Sequence, residues 1–195
     1  MSESTEKKDR IISTAQDLFA HFGIQKTTMD DIARAAGMGK ATLYYYFKNK
    51  EDIFAAVINK EINILKDKIA NAISKVETPQ DKLLQYISVR VKHLGSLKNY
   101  YSTLTEELFM HYPFVEQMRI ESVNHEIDII KGILKLGVQK GIFIIEDVGI
   151  VARSIVIALK GLEFPILFDK TGIIDDIDNA IEIMLNILFK GLEKR

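Results

Sequence analysis

Apolar side chains recur at every third or fourth residue along almost the whole chain, and this spacing constrains the fold more than any other feature. Residues three or four apart share one face of an α-helix, whereas strands need strict alternation, which is scarce here. Only three prolines occur among 195 residues, so few helices are interrupted. The sequence therefore predicts an all-α protein of about nine helices.

Capping residues mark where the first helices begin and end. Gly23 ends the first helix, because glycine tolerates the left-handed conformation that often follows a helix. Thr28 and Asp31 have the spacing of a capping box and open the second helix, which stops at Gly37. The other predicted helices are a short third over 40–47, a long fourth capped by 49–52, a fifth capped by Thr78-Pro79, and four more near 98–110, 114–139, 146–167 and 175–192.

The composition excludes several classes of protein. There is no cysteine, so disulfides, zinc-thiolate sites and thiol nucleophiles are excluded and a cytoplasmic location is expected. The first residues are charged and amphipathic, unlike a signal peptide, and the most apolar segment, 150–168, carries three charged residues, so no membrane association is predicted. The four histidines lack metal-binding spacing, and no phosphate loop or nucleophile motif occurs. We therefore predict no enzyme activity, metal or cofactor.

Charge is divided unevenly between the two ends of the chain. Residues 1–50 hold eight Lys and Arg against six Asp and Glu, whereas residues 51–195 hold 18 against 21. The N-terminal part is thus mildly basic and the remainder mildly acidic. This asymmetry is small, but it favours contact with a polyanion at the N-terminal end only.

The predicted third helix carries two exposed tyrosines. Advancing about 100° per residue places Leu43 and Phe47 together, facing the core. Tyr44 and Tyr45 then fall on the opposite side with Ala41, and two neighbouring exposed tyrosines are unfavourable surface unless they bind something. Their rings suit thymine methyls and sugars, and the small Ala41 lets the helix approach the floor of a groove. Together with the glycine-rich turn before it, this helix predicts a helix-turn-helix that binds the DNA major groove.

Two further side chains are predicted to bind the DNA backbone beside that helix. Thr28 lies at the N-terminus of the second helix, where free amides and a hydroxyl favour an anion, and Lys50 offers a positive charge at the start of the fourth helix. The alternatives are that Thr28 is only a helix cap, that Lys50 is only a solvated surface charge, and that the tyrosines belong partly to the core.

One contiguous segment carries a family resemblance. The stretch TTMDDIARAAGMGKATLYYYFKNKEDIF, preceded by LFAHFG, closely resembles the N-terminal head of the TetR family of bacterial transcriptional repressors, over roughly residues 9–57. Tyr46 departs from the family pattern, in which histidine is frequent at this position. The resemblance implies that the major groove is contacted by Lys40, Ala41, Thr42, Tyr44 and Tyr45, and phosphates by Thr28, Tyr46 and Lys50.

The rest of the chain is predicted to form a second domain that pairs with a copy of itself. We divide the chain into 1–50, a helix-turn-helix DNA-binding domain, and 51–195, a ligand-binding and dimerisation domain. The last two helices are apolar on more than one face, so that one face can pack on the chain's own core while another needs a partner. A homodimer built through these helices is expected, as TetR-like proteins form. The alternative is a fully buried helix pair within a monomer.

The second domain is rich in large apolar and aromatic residues that suit a cavity. An elongated hydrophobic effector would fit such a cavity, and fatty acyl compounds, aromatic metabolites and lipophilic drugs are all compatible with it. Such residues are also common in an ordinary helical core. The predicted ligand-binding residues are Tyr86, Arg90, Tyr101, Phe109, Tyr112, Met118, His125 and Phe164.

These features predict a ligand-responsive transcriptional regulator. The expected protein is a homodimeric repressor that binds a near-palindromic double-stranded operator. The resemblance implies that a small hydrophobic effector releases it by making the fourth helix move the heads. Activation instead of repression stays open. The alternative from another class is a helical small-molecule-binding or protein-interaction module without specific DNA recognition.

Overall fold

The computed structural model describes residues 3–102, 113–168 and 177–192 as helices and short connections. Within these ranges there are nine α-helices and no strands, so the predicted all-α class is confirmed. Residues 103–110 of the predicted sixth helix lie outside the described residues. The helices are α1 (Glu3–Lys26), α2 (Met29–Ala35), α3 (Lys40–Tyr46), α4 (Lys50–Ser74), α5 (Pro79–Lys92), α6 (Lys98–Ser102), α7 (Pro113–Gln139), α8 (Val148–Phe168) and α9 (Ile177–Leu192), with a 3-10 turn at Leu94–Ser96.

The chain divides into two compact units. The first comprises Met1–Ile64 and Leu97–Met118, and the second Leu65–Ser96 and Arg119–Arg195. The division between them falls inside α4. The predicted boundary after residue 50 separates the residues expected to bind DNA from the rest, whereas these units are defined by packing, so the first unit includes more than the head.

The core of the first unit forms where α1 to α4 turn their apolar sides inward. Ile11, Ala15 and Phe19 share one face of α1 at four-residue spacing, and all are buried. The Phe19 ring meets the Phe54 ring edge to face, with centroids 5.3 Å apart. This is a favourable aromatic geometry. Burying each large side chain contributes roughly 1.5–3 kcal/mol, so this small core can fix the orientation of the short helices α2 and α3 on α1.

Helical spacing predicts that Phe22 lies on the buried face of α1 with Ile11, Ala15 and Phe19. Its side chain is 54% exposed, and Ile24 is buried instead. The reason lies at Gly23, whose φ of 79° and ψ of 158° interrupt the helical geometry and redirect the chain. Regular helical geometry therefore breaks at the glycine that was expected to end the helix, although α1 resumes beyond it and runs to Lys26. The apolar spacing no longer applies beyond that point.

The second unit has a core drawn from α5, α7 and α8. Leu83 and Ile87 of α5, Ile130 and Leu134 of α7, and Val156 of α8 are all buried. The turn after α7 is held tightly because Phe143 packs directly on the helix at a glycine, Gly137. A methyl group added to that glycine would come within 2.0 Å of the ring. The small residue thus permits the chain to fold back closely on α7.

Helix α8 is apolar beyond the side that the core covers. Asp147 Oδ1 accepts a hydrogen bond of 2.9 Å from the amide of Ile150 and caps its first turn. Ala152 and Val156 are buried, whereas Ile150 and Ile157 are exposed.

None of the helices in the described ranges is long and apolar enough to cross a membrane.

Candidate nucleic-acid interface

The turn between α2 and α3 is fastened to α1. The Arg10 guanidinium donates hydrogen bonds to the carbonyl oxygen of Ala36 and, at 3.1 Å, to that of Gly37. These carbonyls follow the end of α2 and have no partner within that helix. Gly37 has a φ of 62°, which other residues rarely adopt. The angle between α2 and α3 is therefore set by a glycine and by a side chain 26 positions away.

The two sides of α3 are separated as the helical periodicity predicted. Leu43 and Phe47 are buried, while Tyr44 is 46% exposed and Tyr45 is 81% exposed. The ring of Tyr46, which is half-buried, lies edge to face against that of Tyr45, with centroids 5.1 Å apart. Ala41, Thr42 and Lys48 are also exposed. The result is an exposed surface bearing two tyrosines, with the small side chain of Ala41 on the same helix.

Lys40, at the start of α3, is paired with an acid on α2. Its ammonium lies 2.8 Å from Asp30 Oδ1, and both side chains are more than half exposed. The hydrogen bond and the charge of Asp30 raise the pKa of Lys40, so the lysine carries its full charge. An exposed pair of this kind contributes little to stability. It does place a negative charge beside a lysine predicted to contact DNA.

Neutralising Asp30 is expected to strengthen binding to DNA. Asp30→Asn removes a charge that repels phosphates and frees the Lys40 ammonium, so affinity should rise about two- to tenfold, and the slope of log affinity against log salt should steepen by about one. Fluorescence anisotropy across a salt series measures both quantities. Asp17→Asn, at an exposed position on α1, is the matched control. An equal gain in that variant would show a general effect of net charge and would contradict a role for the Asp30 pair.

Thr28 forms a complete capping box at the start of α2. Its hydroxyl donates to Asp31 Oδ2 at 2.6 Å and accepts from the Asp31 amide at 3.2 Å. The Asp31 carboxylate also accepts from the Thr28 amide at 3.1 Å. These bonds from the Thr28 side chain and backbone lower the pKa of Asp31. The predicted cap is thus present. A phosphate contact by Thr28 remains a prediction, and for it the hydroxyl would have to donate to a phosphate oxygen instead of to Asp31.

Lys50 binds the chain itself. Its ammonium donates to the carbonyl oxygens of Ile24 at 2.8 Å, Gln25 at 3.2 Å and Thr27 at 3.3 Å. Three acceptors match the three N–H donors of a lysine. Lys50 therefore connects the start of α4 to the end of α1 and to Thr27, which precedes α2. Its charge can still attract DNA, but a direct phosphate hydrogen bond would have to replace one of these contacts.

A buried carboxylate in the first unit was missed by the sequence analysis. Glu61 of α4 accepts hydrogen bonds from Gln16 Nε2 at 3.1 Å, Asn99 Nδ2 at 2.7 Å and the amide of Tyr100 at 3.0 Å. It thereby joins α1, α4 and the first turn of α6, whose free amides favour an anion. A sequence signal existed, because an acid directly before the buried Ile62 breaks the apolar face of α4.

The predicted ligand-binding residues do not form one described cluster. Tyr86 and Arg90 are buried in the second unit, and both bind Glu126. Met118 is half-buried and belongs to the first unit, while His125 is exposed. Phe109 and Tyr112 lie outside the described residues, as do the side chains of Tyr101 and Phe164.

Two short helices packed on α1, a fixed turn between them and an exposed tyrosine pair on the second of the two are features of helix-turn-helix DNA-binding proteins. Residues 11–57 match the family model described as "Bacterial regulatory proteins, tetR family". A transcriptional regulator of known structure from Cytophaga hutchinsonii is 30% identical to this chain, with a TM-score of 0.77, and the match covers 94% of this chain and 97% of that one. The chain belongs to the TetR family of transcriptional regulators.

Two curated relatives extend the likeness beyond the head. The HTH-type transcriptional regulator QacR of Staphylococcus aureus is 26% identical over 96% of this chain and 98% of its own length. The fatty acid metabolism regulator protein of Bacillus subtilis is 28% identical over 72% of this chain and 73% of its own length. Such homologues are regulators and not enzymes.

Proposed function

We propose that this chain is a homodimeric transcriptional repressor of the bacterial cytoplasm, released from a near-palindromic operator by a small hydrophobic effector. The observation that carries the proposal is the exposure of Tyr44 and Tyr45 on a helix whose other side is buried. Large aromatic surface left in water is unfavourable unless a partner covers it. In a TetR-family head that partner is DNA.

The proposed DNA surface has two parts. Lys40, Ala41 and Thr42, together with the tyrosine pair, enter the major groove, where small and aromatic side chains contact base edges and thymine methyls. Thr28, Tyr46 and Lys50 flank α3 and face phosphates. The three carbonyl bonds of Lys50 support an electrostatic contribution rather than a direct contact. The tyrosines therefore account for most of the preference for a DNA sequence, and the flanking residues fix the orientation of the head on the duplex.

The proposed dimer is built through α8 and α9. Ile150 and Ile157 lie seven residues apart, two turns along one face of α8, and Ile183 and Ile187 lie one turn apart on α9; all four are exposed. Exposed isoleucines in two helices of one unit favour burial against a second copy, and obligate interfaces of this kind bury roughly 2,000 Å² or more. A two-fold dimer presents two heads to a palindromic site.

The proposed effector binds in the second unit and acts through α4. This helix is continuous from Lys50 to Ser74, so a change at one end is transmitted along it. A ligand that binds one state better shifts the population toward that state, with a coupling of about 1–3 kcal/mol. The name of the Bacillus subtilis relative, a fatty acid metabolism regulator, supports a fatty acyl compound as the first class to test.

Binding to DNA from upstream of the protein's own gene tests the proposal. A palindromic fragment should bind the full chain, and affinity should fall roughly a thousandfold or more between 50 and 200 mM salt, since several phosphates are neutralised. A fragment with scrambled half-sites should bind no better than unrelated DNA. Equal binding to both fragments, or none, would favour the alternative of a ligand-binding or interaction module without specific DNA recognition.

A further inference from the structure

Three donors from two helices converge on one buried carboxylate in the second unit. Glu126 of α7 lies 2.5 Å from the guanidinium of Arg90 and accepts at 3.0 Å from the Tyr86 hydroxyl, both on α5. Its other oxygen lies 3.2 Å from the ammonium of Lys160 on α8. Arg90, Tyr86 and Glu126 are buried, while the Lys160 side chain is 24% exposed.

Stability alone is a weak reason for this arrangement. Removing ionised groups from water costs several kcal/mol for each ion, and apolar side chains of similar volume commonly stabilise a core at least as well. The donor set is instead suited to recognition. A planar guanidinium, a point-charged ammonium and a phenol hydroxyl are the groups that bind organic carboxylates and phosphates.

We propose that Arg90, Lys160 and Tyr86 bind the anionic headgroup of the effector, a carboxylate or phosphate at the end of an alkyl chain, in competition with Glu126. In this proposal Glu126 occupies the headgroup position in the ligand-free protein. The proposal rests on the function proposed above, because it names the effector class of the same unit. Lys160 is the member reachable from solvent, so the headgroup enters from its side.

The surroundings favour an alkyl chain behind the headgroup. On α5, Leu83 and Ile87 lie next to Tyr86 and Arg90 along the same buried face. On α8, Val156 and Leu159 are buried beside Lys160. A ligand held at the charged cluster is therefore bordered by aliphatic side chains. If these helices part to admit a ligand, an alkyl chain would contact this aliphatic border, whereas a compact polar metabolite would not.

The same contacts disfavour a cationic effector. Both oxygens of Glu126 already accept donors, so a quaternary ammonium, which has no N–H to donate, would have to displace a guanidinium bond. An anionic headgroup would instead be bound by the two cations, Arg90 and Lys160, and by the hydroxyl of Tyr86. When it is bound in this way, α7 loses its buried link to α5 and α8. This loss provides a route from headgroup binding to a change in the packing of the unit.

Ligands with the same twelve-carbon chain test the proposal. Laurate and dodecyl phosphate should bind the full-length wild type at least about tenfold more tightly than dodecanol or dodecyltrimethylammonium in isothermal titration. The ranking of laurate and dodecyl phosphate distinguishes a carboxylate from a phosphate headgroup. Equal binding of dodecanol and both anions, or stronger binding of the ammonium, would overturn the proposal.

Two variants assign the effect to the cluster. Lys160→Met should weaken laurate binding about tenfold and leave dodecanol binding unchanged, whereas Lys135→Met, at an exposed position on α7, should change neither. Glu126→Gln should strengthen laurate binding, because it removes the competing anion. If Glu126→Gln does not fold, Lys160→Met still tests the proposal, because the Lys160 side chain is partly exposed and its replacement should leave the fold intact. Unchanged selectivity for laurate in Lys160→Met would overturn the proposal.

DNA binding is measured separately on the same samples. If the protein binds its operator but shows no preference for anions, this inference fails and the proposed function stands. If it prefers anions in the predicted way but binds no DNA, the proposed repressor function fails and the headgroup site stands.

Discussion

Replacing Tyr44 and Tyr45 together by alanine should abolish specific operator binding. Each good contact with a base edge contributes about 1–3 kcal/mol of discrimination, so losing both should weaken binding to the operator more than about a hundredfold. Binding to unrelated DNA should change little, because it depends on phosphates. Fluorescence anisotropy with operator and scrambled fragments measures the difference.

The fold should survive this double substitution. Both rings are exposed, and the core side of α3 is formed by Leu43 and Phe47, which stay in place. Helicity by circular dichroism and mass by light scattering should match the wild type. Ile120→Ala removes an exposed apolar side chain from α7 and serves as the control, with DNA affinity unchanged. Wild-type operator affinity in the double variant would remove the tyrosines from the DNA surface.

Placing charges on the exposed faces of α8 and α9 should convert the protein to a monomer. Ile157 is 70% exposed and Ile187 is 68% exposed, so glutamate at each position is tolerated by the isolated chain. In an apolar interface the same carboxylates would be buried without partners, which costs several kcal/mol for each. The mass from light scattering should fall from two chains to one, and operator affinity should fall by orders of magnitude because both half-sites can no longer be bound together.

Ile144→Glu is the matched control for this experiment. Ile144 is as exposed as these isoleucines but lies before α8, so the variant should remain dimeric and bind the operator normally. A wild-type chain that is monomeric at micromolar concentration would exclude the proposed interface. A dimer that persists in the Ile157→Glu, Ile187→Glu variant would place the interface elsewhere.

The sequence predicted those parts of the structure that depend on neighbours along the chain. The two sides of α3, the capping box of Thr28 and the break in α1 at Gly23 all follow from residues within four positions of one another. Phe22 was misplaced because the periodicity was extended through the residue before the glycine, where the chain changes direction. Local patterns thus fixed the elements and the exposed surface of α3, and failed where an element ended.

Contacts between distant residues were not predictable in this way. Lys50 reaches carbonyls 23 to 26 positions earlier, and nothing in the local pattern distinguishes it from a solvated lysine. Tyr86 and Glu126 lie 40 positions apart. The tyrosine and Arg90 were predicted as ligand contacts, but the carboxylate that joins them was not, because helical spacing does not indicate which helices become neighbours.

The bonds of Lys50 have a mechanical consequence. The ammonium of Lys50 donates to the carbonyls of Ile24, Gln25 and Thr27. Asn49 caps the same helix by accepting from the amide of Asp52. The first turn of α4 is thus bonded to the chain that leads from α1 into α2. A displacement of α4 is therefore transmitted to the end of α1 and the start of α2, as well as to α3, which directly precedes α4. Helix α3 would then move together with α1 and α2 as a rigid unit. A small rotation of this unit would change the angle at which α3 meets the groove without altering the conformation of α3.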